Sequence, residues 1–282
     1  MVIVQPATDG GPMPSGTPEL QPSAPSGPAE PVPDADAAAR PSLWDQLQEW
    51  GVMFEFTATH LSKGLVDRWP AGDGHPVLVL PGFLAGQAST GHMRSLLTRL
   101  GYDAHDWSMG RNYGFREGMD EKMQNLVAEL RERHGRPVTL IGWSLGGIYA
   151  REIARAVPDH VRGVITMGTP FRGNHRATRA FRLYQLLNRN PMSPDVFSES
   201  ARISRAAPLP VPTTCIYSRS DGIVAWECCT SLPAPQTQNI EVNSTHLGFG
   251  FNLETMYIVA SILAQPEGQW EPYRRPHDRI AG

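Results

Sequence analysis

Between about residue 75 and residue 264, short apolar runs alternate with longer segments in which apolar positions recur every three or four residues. The short runs are typical of strands buried on both faces, and the longer segments are typical of amphipathic helices. This alternation predicts an α/β fold with a mostly parallel central sheet and helices on both faces. The predicted strands are 75–80, 102–107, 137–141, 161–167, 212–218 and 239–243, and the predicted helices are 90–100, 116–133, 148–154 and 253–263.

The segments that flank this α/β domain, which we place at 71–264, lack the alternation. Residues 1–41 are rich in Pro, Ala, Gly and Ser without a hydrophobic period, so we expect a disordered tail. Residues 42–70 start with an amphipathic helix and continue as a linker to the domain. Residues 265–282 are polar and Pro-rich, and we expect this C-terminal tail to fray.

The alternation is also interrupted inside the domain, at about 171–207. This segment carries seven arginines against two acids, and its basic and apolar residues fall on different helical faces. We predict a short helical cap over the functional site, with an apolar face for a substrate chain and arginines for an anionic group. The alternative is a solvated helix whose arginines have no specific role. Peripheral membrane contact through this cap or through the amphipathic helix that begins at residue 42 is a further alternative.

Composition narrows the class of protein. The chain has 282 residues and a net charge of −3, and 40% of its residues are hydrophobic. A chain of this length fits one sizeable domain. Its charge is close to neutral and indicates no concentrated basic face, which a nucleic-acid partner requires. No signal peptide or membrane-spanning run is visible, so we expect a cytoplasmic location.

The cysteines indicate neither a disulfide framework nor a metal centre. Their number is odd and two of them are adjacent, at Cys215, Cys228 and Cys229. They form no Cys-x-x-Cys pair and have no neighbouring histidine in the sequence. We therefore expect free thiols, and we expect no metal and no organic cofactor.

One stretch carries a chemical motif. The apolar run ending at Ile141 leads into Gly142-Trp143-Ser144-Leu145-Gly146, and helix-forming residues follow. Strand, sharp turn and helix is the context in which Gly-x-Ser-x-Gly forms a nucleophile elbow. The alternative is a plain turn of small residues, but the context favours Ser144 as a nucleophile.

Two further residues complete the chemistry that a serine nucleophile needs. Asp221 follows the predicted strand 212–218, and His246 follows the last predicted strand. A histidine can take the serine proton, and a carboxylate can fix the tautomer of that histidine and stabilise its charged form. The chain order Ser144, Asp221, His246 predicts a catalytic triad in an α/β sheet.

Backbone amides near Ser144 are the expected oxyanion hole. We assign one donor to Leu145, the first residue of the following helix, and the second to Phe83 in the glycine-rich turn after the first strand. Open parallel sheets bind ligands beyond the carboxyl ends of their strands. The side chains expected to contact a substrate there are Leu84, Arg111, Trp143 and Phe171.

Residues from about 75 to 264 resemble the bacterial lipases and esterases of the α/β-hydrolase superfamily. The usual histidine before the oxyanion glycine is Pro81 in this chain. The matching pieces are Pro81-Gly82-Phe83, the Gly142–Gly147 elbow, Gly168-Thr169-Pro170, the Tyr217–Val224 turn and His246-Leu247-Gly248.

The residues and the resemblance together predict a serine hydrolase that cleaves carboxylic esters through an acyl-serine intermediate. The expected partner is a small-molecule ester or lipid substrate. An acyltransferase, a thioesterase or an amidase could use the same three residues, and the sequence does not separate them. A non-catalytic binding protein on a hydrolase fold is the alternative of another class.

Overall fold

A six-stranded sheet organises the part of the chain that the computed structural model describes, residues 33–35, 66–173 and 199–275. Its strands are β1 (Pro76–Leu80), β2 (Asp103–Asp106), β3 (Val138–Trp143), β4 (Val161–Met167), β5 (Thr213–Tyr217) and β6 (Thr237–Glu241). The α-helices are α1 (Gln87–Leu100), α2 (Met119–His134), α3 (Leu145–Ala156), α4 (Glu199–Ala206) and α5 (Leu253–Leu263). Short 3₁₀ turns lie at Pro158–His160 and Trp226–Cys229.

The strand order is β2-β1-β3-β4-β5-β6, and all five pairings are parallel. The chain first adds β2 on one side of β1 and then crosses back to place β3 on the other side. The carboxyl ends of β1 and β3 are therefore neighbours at the point where the strand order reverses, which is where such sheets bind ligands.

Alternate side chains of the strands build a hydrophobic core on each face of the sheet. On one face, Val77 and Val79 of β1 pack with Met93 and Leu97 of α1 and with residues of α5. On the other face, neighbouring strand residues such as Leu78 pack with residues of α2 and α3. Covering a parallel sheet on both faces explains why the strands read as continuous apolar runs.

The predicted element types agree with the structure, and several boundaries differ. Strand β4 and helix α5 have the predicted bounds, whereas α1 begins three residues earlier than predicted and α2 begins three residues later. Strand β6 begins at Thr237 and not at 239. Strand β2 is shorter than predicted, and among the described strands it pairs with β1 alone.

Most of the predicted flanking segments lie outside the described residues. This holds for the tail at 1–41 apart from 33–35, for the helix predicted from residue 42, and for cap residues 174–198. Among the helices that the structure describes, none combines the length and the apolar character needed to cross a membrane.

The expectation of a frayed C-terminal tail is wrong for residues 265–275. The amide of Tyr273 donates to the side chain of Gln238, at 2.7 Å. Arg275 donates to the carbonyl of Glu241 and forms an ion pair with Glu254. These contacts hold residues 265–275 along β6, so that this segment covers part of the edge strand.

Candidate active site

Ser144 lies in the sharp turn between β3 and α3. Its backbone has φ 53° and ψ −120°, a conformation that costs free energy in a residue with a side chain. Its amide donates to the carbonyl of Met167 on the adjacent strand, at 2.8 Å. The side chain therefore stands at the carboxyl edge of the sheet, with 8% of the residue exposed.

The glycines around Ser144 are required by close backbone contacts. A Cβ atom at Gly142 would overlap the backbone of Gly147, and one at Gly146 would overlap the carbonyl of Leu80. Because these neighbours are backbone atoms, they could move only with the strand or helix that contains them. The motif therefore has the local geometry of a nucleophile elbow.

Asp221 and His246 form a buried hydrogen-bonded pair. Nδ1 of His246 lies 2.6 Å from Oδ2 of Asp221, and the two residues are only 5% and 4% exposed. Because a carboxylate only accepts hydrogen bonds, Nδ1 carries the proton in this contact. The other carboxylate oxygen accepts from the amides of Ile223 and Val224, each at 2.8 Å. This arrangement fixes the orientation of the imidazole ring.

Two contacts hold this pair beside the elbow. The indole Nε1 of Trp143, the residue before Ser144, donates to the carbonyl of His246 at 3.0 Å. Gly168, which follows β4, lies against the pair: a Cβ atom there would be 3.1 Å from Oδ2 of Asp221 and from Nδ1 of His246. Met167 and Gly168, at the end of β4, thus contact the amide of Ser144 and the Asp221–His246 pair.

The loop after β1 lies against Ser144 from the other side. A Cβ atom on Gly82 would be 3.3 Å from Cβ of Ser144 and 4.0 Å from its Oγ. Phe83 follows in this loop, and Leu145 is the first residue of α3, where amides have no partner within the helix. Both predicted oxyanion donors therefore belong to backbone segments that border the serine.

Asn112 fixes the position of this loop, a role that the sequence analysis did not identify. Its side chain is fully buried, and its Nδ2 donates to the carbonyl of Pro81 at 2.9 Å. Its backbone carbonyl accepts from Leu84, and its amide donates to Ala85. Its Oδ1 accepts from Tyr149 of α3 at 3.1 Å, so one residue connects the loop to the elbow helix.

The side chains expected to contact a substrate occupy different environments. Leu84 is half-buried at φ 60° in the loop, and Arg111 is exposed on the neighbouring loop. Trp143 is 7% exposed and packs in the core, and its visible role is to position His246. Contact of these three residues with a substrate remains a prediction.

Phe171 is the fourth expected substrate contact. It is 2% exposed, and the guanidinium carbon of Arg151 lies 3.9 Å from its ring centre. Burial lowers the pKa of Arg151 to about 10, so this side chain stays charged at neutral pH. Its Nη2 donates to the carbonyls of Arg205 and Ala207 at the end of α4. Phe171 is therefore part of the contact that holds α4, and substrate contact is untested.

The cysteines take no part in this site. All three are buried free thiols. Burial raises the pKa of Cys215 and of Cys229, which keeps these thiols protonated and unreactive at neutral pH.

Comparison with known proteins agrees with the fold. The profile of the alpha/beta hydrolase family matches residues 77–238, more than half of the chain. The chain therefore belongs to the alpha/beta hydrolase family, and the all-parallel sheet with helices on both faces is the fold of that family. Among curated proteins, no sequence matches significantly.

Solved structures of other hydrolases are similar at low sequence identity. Lipase B from Aspergillus fumigatus has a TM-score of 0.51 and 18% identity, covering 73% of this chain. This chain spans 56% of that lipase. A metagenomic carboxyl esterase has a TM-score of 0.53 and 15% identity, covering 69% of this chain and 76% of its own. A structure from the metagenome-derived lipolytic enzymes LipS and LipT has a TM-score of 0.51 and 17% identity, covering 70% and 94%.

Proposed function

We propose that this protein is a serine hydrolase that cleaves carboxylic esters. The observation that carries the proposal is the buried Asp221–His246 pair, held against the strained turn of Ser144 by Trp143 and the end of β4. A serine hydroxyl is a weak nucleophile until a base removes its proton, and this arrangement supplies an oriented base.

The proposed reaction has two halves. In the first, Oγ of Ser144 attacks the ester carbonyl while Nε2 of His246 takes the serine proton, and the protonated imidazole then gives that proton to the departing alcohol. In the second, water loses a proton to His246 and attacks the acyl-serine. The carboxylic acid leaves, and the proton returns to Oγ. Asp221 stabilises the imidazolium that forms in each half.

Negative charge develops on the carbonyl oxygen in both halves. The amides of Phe83 and Leu145 are proposed to donate to this oxygen. A single donor of this kind contributes about 10²–10³ to kcat in other serine hydrolases. The bracing of the loop by Asn112 supports the assignment of Phe83, because an oxyanion donor must be held in place before the charge forms.

The three residues supply a nucleophile and a base, but they do not by themselves select an ester as the substrate. Acyl transfer, thioester cleavage and amide cleavage would use the same nucleophile and base. The similar lipase and carboxyl esterase share the fold of this chain, and their activities favour an ester as the first substrate to test.

The test is the hydrolysis of p-nitrophenyl esters of increasing acyl length by the wild type, Ser144→Ala and the matched control Ser95→Ala. Ser95 is exposed on α1. We expect turnover in the wild type and the control, and a loss of about 10⁴-fold or more in Ser144→Ala. Turnover that persists in folded Ser144→Ala would overturn the assignment. If the protein cleaved only thioesters or amides, or only transferred acyl groups to added alcohols, Ser144 would remain the nucleophile and the proposed substrate class would be replaced.

A further inference from the structure

A group of three polar side chains lies at the opposite end of the sheet from Ser144. Asp103 and His105 are alternate residues of edge strand β2, so their side chains project from the same face. His134 is the last residue of α2, the helix that packs on that face. Asp103 pairs with Pro76, the first residue of β1, which places the group near the amino ends of the strands.

Three ligand atoms converge in this group. Oδ2 of Asp103 lies 2.9 Å from Nε2 of His105 and 2.8 Å from Nε2 of His134. All three atoms lie within 4.8 Å of one another. The imidazole rings meet edge to face, with their centres 6.0 Å apart.

Despite these distances, Nε2 of His105 and Nε2 of His134 lack a hydrogen-bond partner among the described residues. Both Nε2 atoms are buried, and neither makes a hydrogen bond of acceptable geometry to any residue that the structure describes. Because Oδ2 of Asp103 is close enough to both, the missing element is alignment: the ring nitrogens are not directed at the oxygen. An N–H group buried without an acceptor costs about 1–3 kcal/mol, so a plain His–Asp–His hydrogen-bond network accounts poorly for this geometry.

From this convergence we infer that Asp103, His105 and His134 bind a zinc ion. Two neutral imidazoles and one carboxylate are a ligand set that Zn²⁺ accepts, with ligand atoms about 2.0–2.2 Å from the ion. Two such ligands on a tetrahedral ion are about 3.3 Å apart, so the separations of 2.9 Å and 2.8 Å need to open by about 0.4–0.5 Å. The Asp103 side chain is 47% exposed, which leaves the fourth position open to water.

The ion would join two elements that the sheet alone holds weakly. Strand β2 is at the edge and pairs with one neighbour, and His134 is at the end of its helix. A shared ion would fasten the edge strand to α2, which gives the site a stabilising role separate from the proposed ester hydrolysis. The inference thus departs from the sequence-based expectation that the protein binds no metal.

Zinc binding is tested on the full chain, stripped with EDTA and freed of any affinity tag, by titration with ZnCl₂ in a calorimeter. We expect one saturable equivalent. A zinc excess of 100-fold over Kd is expected to raise the melting temperature by about 5–10 °C. His105→Gln and His134→Gln should each weaken binding at least tenfold, and the matched control His160→Gln should bind as the wild type does.

Asp103→Asn provides a second test, because it keeps the size of a half-exposed side chain and removes the anionic ligand. Circular dichroism of the metal-free variants shows whether each one folds. Weaker binding in folded Asp103→Asn supports the site even if a histidine variant does not fold. No saturable equivalent in the wild type would overturn the inference, and so would unchanged zinc affinity in folded variants of the three residues.

Discussion

Replacing Asn112 by alanine should lower both stability and turnover, because one buried side chain braces the proposed oxyanion loop. The variant removes three hydrogen bonds, which join Asn112 to the carbonyl of Pro81, the amide of Gly114 and the hydroxyl of Tyr149. Leaving a buried polar group unpaired costs about 1–3 kcal/mol. With partial compensation by water in the space created, we expect a loss of about 3–5 kcal/mol in the free energy of unfolding.

The expected fall in kcat for Asn112→Ala is smaller than the fall caused by removing a whole oxyanion donor. The backbone hydrogen bonds of residue 112 to Leu84 and Ala85 survive in the variant, so the loop loosens without being released. A complete donor is worth about 10²–10³ in kcat. We therefore expect kcat to fall by about 10- to 100-fold, with a smaller change in KM.

The assay combines urea denaturation with ester hydrolysis at a temperature well below the melting point of every variant. Tyr149→Phe removes one of the three hydrogen bonds and should cost about 1 kcal/mol, with less than about a threefold fall in kcat. Asn125→Ala, at an exposed position of α2, is the matched control and should change neither quantity. If Asn112→Ala lost stability and kept the kcat of the wild type, the loop would not hold a donor for the developing charge.

Two further predictions concern the scaffold. Burial lowers the pKa of His75 to about 4, against the opposing effect of its hydrogen bond to Asp73. Because the unfolded histidine binds a proton between about pH 6.5 and 4 and the folded one does not, the free energy of unfolding should fall by up to about 3 kcal/mol as pH drops through that window. Urea denaturation at several pH values should show a smaller fall in the free energy of unfolding for His75→Gln than for the wild type. An equal fall in both proteins would contradict a buried, neutral His75. Gly146→Ala should cost at least about 3 kcal/mol, since its Cβ would meet the Leu80 carbonyl. On α1, a Cβ at Gly91 would lie 3.9 Å from Nη2 of Arg94, an ordinary contact, so Gly91→Ala should stabilise by about 0.5–1 kcal/mol. Equal unfolding midpoints for the two variants would refute the close contact at Gly146.

The buried strands could be predicted from the sequence because burial on both faces leaves a continuous apolar run. Strand β4, whose bounds agree with the prediction, has all but one of its residues buried. The predicted strand β6 begins two residues too late, because Thr237 and Gln238 read as a polar loop. They become a strand only through pairing with β5, supported by a hydrogen bond from Gln238 to Thr214.

The candidate site was predictable to the extent that its residues follow strands. Ser144 comes directly after β3, and Asp221 and His246 lie in the loops that follow β5 and β6. Parallel strands bring such positions to one edge of the sheet. The role of Asn112 could not be predicted, because its partners at Pro81 and Tyr149 are 31 and 37 positions away in the chain. Its neighbours in the sequence show only a polar loop, and the spatial contact exists only once the sheet has formed.

Reaction of the folded protein with a fluorophosphonate, followed by intact mass and peptide mapping, shows whether Ser144 is an activated nucleophile. We expect one adduct, located on Ser144, which is absent in Ser144→Ala and forms at least about 10³-fold more slowly in His246→Gln. No adduct on Ser144 in the folded wild type, or an equal rate in folded His246→Gln, would contradict a serine activated by the Asp221–His246 pair.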